Sequence, residues 1–110
     1  MKINSKLAEG HWVKYNDTAQ FQIRAFPIEN LMLLSEEFNQ PMAVSKKMCE
    51  WCVMDWKGME WEDGTIMECN DKNKEYLFNY YPIFYDFIRL EIENLKNVDT
   101  HIAKKTSKKS

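Results

Sequence analysis

The segment from Gln20 to Phe26 leaves the chain the least freedom. Phe21, Ile23 and Ala25 alternate with Gln20, Gln22 and Arg24, and a period of two means a strand with one buried and one wet face. Pro27 stops that strand and suits the first turn of a helix. Upstream, His11 to Tyr15 reads as a second strand, and Asn16-Asp17 supplies turn chemistry between the two. The spacing therefore predicts a β-hairpin over residues 11–26, preceded by a polar, loose stretch over 1–10.

From Pro27 onward the period changes to that of a helix. Ile28, Leu31, Leu34 and Phe38 recur on one side, with Glu29, Glu36 and Glu37 on the other, and this helix is expected to end near Asn39, before Pro41. A second helix is expected from Ala43 to Met54. Val44, Met48, Trp51 and Cys52 form its stripe, and Lys46, Lys47 and Glu50 face out. Gly58 and Asp63-Gly64 interrupt the stretch beyond Met54, and the Asp-Gly between Trp61 and Ile66 signals a turn or a short hairpin. Asn70-Asp71 opens a third helix with a capping side chain and an early acid, running to Tyr80. Tyr81 precedes Pro82, which starts a last helix. Phe84, Phe87, Ile88, Ile92 and Leu95 are its apolar stripe, with Asp86, Arg89, Glu91 and Glu93 outside. Past Asn97 the periodicity fades. The expected fold is α+β: an N-terminal β-hairpin packed against three to four helices, one domain over residues 1–98, with a disordered, flexible lysine-rich tail over 99–110.

Composition bounds the function classes. A chain of 110 residues is one domain, and 45% hydrophobic with 14% aromatic residues is enough to build a core. The net charge is −2, but Lys104, Lys105, Lys108 and Lys109 all fall in the last seven residues; without their four charges, residues 1–103 carry −6. An acidic body is unsuited to tracking phosphates, so no nucleic-acid partner is expected. No apolar run approaches the roughly 20 residues of a membrane span, and the N-terminal segment lacks the apolar stretch of a signal peptide. A soluble intracellular protein is the expectation. Three cysteines, an odd number, argue for a reducing compartment over a disulfide framework.

Few residues suggest chemistry. Cys49 and Cys52, with Cys69 and His11 or His101, are the candidates for a zinc site, but the second close ligand pair of a strong zinc pattern is missing. Two cysteines three apart on a helix also simply pack. A redox Cys-x-x-Cys wants a strand before it and a βαβ context. Asp55, Glu60, Glu62, Asp63 and Glu68 crowd one short stretch without a nucleophile or histidine beside them, which reads as a solvated loop. There is no glycine-rich phosphate cradle and no His-Glu-x-x-His. No enzyme, cofactor or metal is expected. Four tryptophans and seven methionines remain to be explained. Trp51, Trp56 and Trp61, five apart, cannot share one face of one element; some are core, and the others are candidate partner anchors.

Order and spacing in the second half resemble a known family. Val53-Met54-Asp55-Trp56-Lys57-Gly58 leads through Glu62-Asp63-Gly64 to the capped helix opening Asn70-Asp71-Lys72-Asn73. Tyr76-Leu77, Tyr81-Pro82 and Phe87-Ile88 come after it. This order resembles the small tail assembly chaperones of long-tailed bacteriophages over roughly residues 45–95, and the Phe21-to-Ile28 stretch resembles the family's opening. Lys57 stands where the family commonly has an acid, and Cys49/Cys52 lie outside its pattern. The resemblance implies a non-enzymatic protein of the host cytoplasm, absent from the finished virion. It would coat the tape measure protein and release it as tail tube protein polymerises. It also implies a client-facing or self-association surface, for which Trp51, Trp56, Met59, Trp61 and Phe84 are the candidate residues. In such families a shorter and a frameshifted longer product often share one N-terminal domain, and Lys104-Lys105 and Lys108-Lys109 are the places where adenine runs would permit it. The rival expectations are a tail completion or connector protein retained in the virion, and a small zinc-binding regulator.

Overall fold

The strand expected from the alternation of Phe21 and Ile23 is the middle of the sheet. The computed structural model of the chain describes Met1, Ile3 and residues 6–108, with backbone alone for Lys6 and for 96–108. In chain order the elements are α1 (Lys6–Glu9), β1 (His11–Lys14), β2 (Gln20–Ile23), α2 (Ile28–Glu37), α3 (Pro41–Cys52), β3 (Val53–Lys57), α4 (Asp71–Tyr80) and α5 (Pro82–Lys108). The fold is α+β. The three strands form one antiparallel sheet in the order β1-β2-β3.

The hairpin forms as its turn chemistry demands. His11 pairs with Ile23 and Lys14 with Gln20. At the turn, Asn16 Oδ1 accepts from the backbone N–H of Thr18 at 2.9 Å and of Ala19 at 2.6 Å. This side-chain mimic of a backbone turn is what asparagine supplies at such positions. Phe21 and Ile23 are fully buried on the inner face.

Two local expectations are corrected. Residues 1–10 are not wholly irregular: Lys6–Glu9 makes one helical turn, and Leu7 packs on the core while its carbonyl accepts from Ala25 N–H at 2.7 Å. The second helix does not reach Met54. It ends at Cys52, and Val53–Lys57 is the third strand. Phe21 pairs with Trp56, Gln22 with Asp55 and Ile23 with Val53, so Met54 is an extra residue with no partner of its own. That bulge puts both Val53 and Trp56 inward, three apart instead of two, and erases the alternation by which a strand is recognised.

The helices α4 and α5 obey their local signals. Asn70 Oδ1 caps α4 by accepting from Asn73 N–H at 2.8 Å, and Pro82 opens α5. The backbone of α5 is helical to Lys108, within the stretch expected as the tail. After Pro82 the chain has no glycine or proline to stop a helix. Residues 109–110 of that expected tail lie outside the described residues.

One cluster of buried side chains joins these elements. Phe21 and Ile23 from β2, Val53 and Trp56 from β3, Cys49 and Cys52 from α3, Leu77 and Phe78 from α4, and Ile88, Ile92 and Leu95 from α5 meet there. Phe21 sits at its centre, with ring centroids 6.1 Å from Trp56, 5.9 Å from Phe84 and 6.0 Å from Phe87. Arg24, expected on the wet face, folds back instead. Its guanidinium lies 3.5 Å from the Trp51 ring centre and donates to the Trp51 carbonyl from Nη2 at 3.1 Å. This contact ties the end of β2 to the end of α3. Among the described residues no helix is long and apolar enough to cross a membrane.

Candidate partner-binding surfaces

Gly58 sets up the first surface. Its φ is +77°, a left-handed conformation that favours glycine, and a Cβ there would overlap the Thr18 carbonyl oxygen. The chain leaving β3 is thereby pressed against the hairpin turn. It then doubles back. Met67 N–H donates to the Met59 carbonyl at 3.0 Å, Trp61 N–H to Thr65 at 2.8 Å, and Glu60 bridges Ile66. The tip is the Asp63-Gly64 turn, with Gly64 at φ +89°. Thr65 donates to Asp63 Oδ1 through both N–H and hydroxyl, and these hydrogen bonds hold the Asp63 carboxyl below its ordinary range.

Between this small hairpin, the Asn16–Ala19 turn and the α4–α5 corner lies a cleft of about 460 Å³. Met59, Trp61, Tyr76, Tyr81 and Phe84 supply apolar and aromatic walls, and Glu60 and Glu62 line it beside them. The Trp61 and Tyr76 rings meet edge-on at 5.6 Å, and Tyr81 meets Phe84 at 6.2 Å. Trp61, Tyr76 and Tyr81 are exposed.

The five anchors expected from sequence therefore divide. Met59, Trp61 and Phe84 come together in the cleft. Trp56 does not reach the surface: it is 6% exposed, and its Nε1–H donates to the Met67 carbonyl at 2.6 Å inside the core. The bulge at Met54 turns it inward. Trp51 stands elsewhere, half-buried under Arg24 and edge-on to Phe26 at 5.3 Å.

The second surface is α2, whose periodicity is that of an ordinary core helix. None of its ten residues is buried. Leu34 is half-buried against the core, and Phe38, just past the end of α2, is half-buried, but Ile28 is 78% exposed, Met32 63% and Leu33 60%. Met42, at the start of α3, is exposed as well. One groove lined by Phe26, Leu33, Leu34 and Trp51 and another lined by Leu31, Phe38, Val44 and Met48 run where α2 meets α3. A signal for this was present. Leu31-Met32-Leu33-Leu34 are consecutive, and at about 100° per residue four successive side chains wrap most of the helix circumference. They cannot all face one neighbour.

Among the described residues, no three or more His, Cys, Asp or Glu side chains converge; the side chain of His101 lies outside them. Cys49 and Cys52 are buried in the core. Burial pushes the Cys49 thiol up to about 12, and the half-buried Cys69 to about 11, so both are neutral thiols and weak nucleophiles at neutral pH. Beside Trp51, burial also raises the Glu50 carboxyl, although Lys47 Nζ lies 3.7 Å away.

Comparison of the chain with protein-family models, with curated proteins and with solved structures gives no match.

Proposed function

We propose that this chain is a binding protein that shelters an apolar helical client, in the manner of the bacteriophage tail assembly chaperones its sequence resembles. The observation that carries the reading is α2. Half of its ten residues are apolar, and none is buried. A ten-residue helix is marginal on its own, and a contiguous uncovered apolar face marks a partner-binding surface. An amphipathic client helix laid along α2, with its apolar stripe in the grooves beside it, is a recurrent recognition mode. Met32 on α2, and Met48 lining the second groove, give that surface adaptability.

Charge favours a client over a second copy on this face. The helix α2 carries Glu29, Glu36 and Glu37 and no basic residue. Two copies packed through α2 would set acid against acid, whereas a client with basic flanks would be complemented. The reading assigns the chain to the host cytoplasm during tail assembly, with the tape measure protein as client, tail tube protein as the successor that displaces it, and no catalytic step.

The test is co-expression with the tape measure protein of the same genome, followed by size exclusion with light scattering. The expected result is a soluble complex that the Met32→Lys/Leu33→Lys double variant does not form. A client that stays insoluble while this chain elutes alone overturns the reading. Recovery of the chain in purified virions would favour the tail completion role instead.

A further inference from the structure

We propose that the cleft between the Asp63-Gly64 hairpin and the α4–α5 corner is a docking site for an arginine or lysine side chain of a partner protein. The proposal is separate from the role of α2 and stands whether or not the client reading holds.

Three features carry it. The first is the wall chemistry. Trp61, Tyr76 and Tyr81 are exposed aromatic side chains in one cleft, and the electron-rich faces of such rings attract cations. The protein already makes this interaction twice within itself: Arg24 lies over Trp51 at 3.5 Å, and Lys57 Nζ lies over Trp12 at 4.2 Å.

The second is charge. Glu60 and Glu62 line the cleft, and among the described residues no lysine, arginine or histidine does. From Gly58 to Asp71 the chain carries Glu60, Glu62, Asp63, Glu68 and Asp71 without one basic residue. The preceding cation in sequence, Lys57, is held on the Trp12 ring. A cationic occupant is therefore complemented from the rim as well as from the rings. An anionic one would be repelled.

The third is size and shape. At about 460 Å³ the cleft falls within the range of ligand sites and has room for more than a head group. The half-buried Met59 and Phe84 line it with apolar surface suited to the methylene stem of arginine or lysine, which prefers to lie on apolar atoms while its charge stays wet.

The experiment is an NMR titration of the full chain, monitoring the Trp61 indole N–H. The probe is the blocked pentapeptide Leu-Arg-Leu-Arg-Leu. Two controls replace arginine by citrulline, which keeps the shape without the charge, and by glutamate. The expected result is a saturable shift of Trp61 and of backbone amides near Tyr76 and Tyr81. Binding should be about tenfold weaker with citrulline, weaker at raised salt, and absent with glutamate. The variants Trp61→Ala and Glu60→Gln/Glu62→Gln should each weaken the arginine peptide while leaving the amide spectrum of the core unchanged. Equal binding of arginine and citrulline peptides overturns the proposal. So does a response confined to Ile28–Leu33, or the lack of any saturable shift at millimolar peptide.

Discussion

At the scale of single residues, burial decides what a side chain is for. Trp56 and Trp61 are both tryptophans in one short stretch, yet one is a core strut and the other a cleft wall. The Trp56 indole hydrogen bond to Met67 is inside the core, so Trp56→Phe leaves that carbonyl without its donor. We expect a loss of about 1–3 kcal/mol in urea unfolding, whereas Trp61→Phe should stay within about 0.5 kcal/mol. The cysteines give a second residue-scale expectation. With its thiol pushed from 9.0 to about 12 by burial, Cys49 is neutral in the folded protein well above the pH at which it ionises in the unfolded chain. A folded-state value above the unfolded one means that the associated stability is fully present below pH 9 and is lost as the pH rises towards 12. Wild-type protein should therefore lose stability faster than Cys49→Ala across that window. Alkylation at pH 8 should reach the half-buried Cys69 first and Cys49 only on unfolding.

At the scale of elements, the local signals that formed correctly are those completed within a few residues. Asn70 caps α4 with its own side chain, so Asn70→Ala should cost about 1 kcal/mol, read by chemical denaturation. The two glycines of the β3–α4 loop separate local from non-local demands. Both have positive φ, but a Cβ on Gly64 meets nothing within 4 Å, whereas one on Gly58 overlaps the Thr18 carbonyl. We expect Gly64→Ala to cost about 1 kcal/mol for the backbone conformation alone. Gly58→Ala should cost distinctly more, because the hairpin turn must also move. A melting-temperature comparison of the two checks this.

At the scale of the whole molecule, the sheet and α3–α5 build a closed core, and α2 lies against it without being absorbed. Stability and partner binding should therefore separate. Met32→Lys/Leu33→Lys replaces two exposed apolar side chains and should leave the unfolding midpoint nearly unchanged while reducing dye binding to apolar surface. A large fall in the midpoint would mean that α2 is part of the cooperative core. The acidic charge of residues 1–103 should make binding of a basic partner weaken with salt.

Features that depend on neighbours along the chain were legible before any contact was known. The hairpin came from alternation and an Asx turn, α4 from its cap, the start of α5 from Pro82, and the α+β class from the change of period at Pro27. The remainder was settled by contacts across the fold. Strand β3 was illegible because its bulge at Met54 makes sense only against β2, and without it Trp56 could not be assigned to the core. The stripe of α2 at Ile28, Leu31, Leu34 and Phe38 looked like any buried helix face, because periodicity reports that a face is apolar and not whether anything covers it; only the run from Leu31 to Leu34 signalled that some apolar side chains stay uncovered. The cleft joins Trp61, Tyr76, Tyr81 and Phe84 from three segments, brought together by the contact of Gly58 with Thr18. Burial and cavities are properties of surfaces in contact, and those contacts are made by residues far apart in the chain.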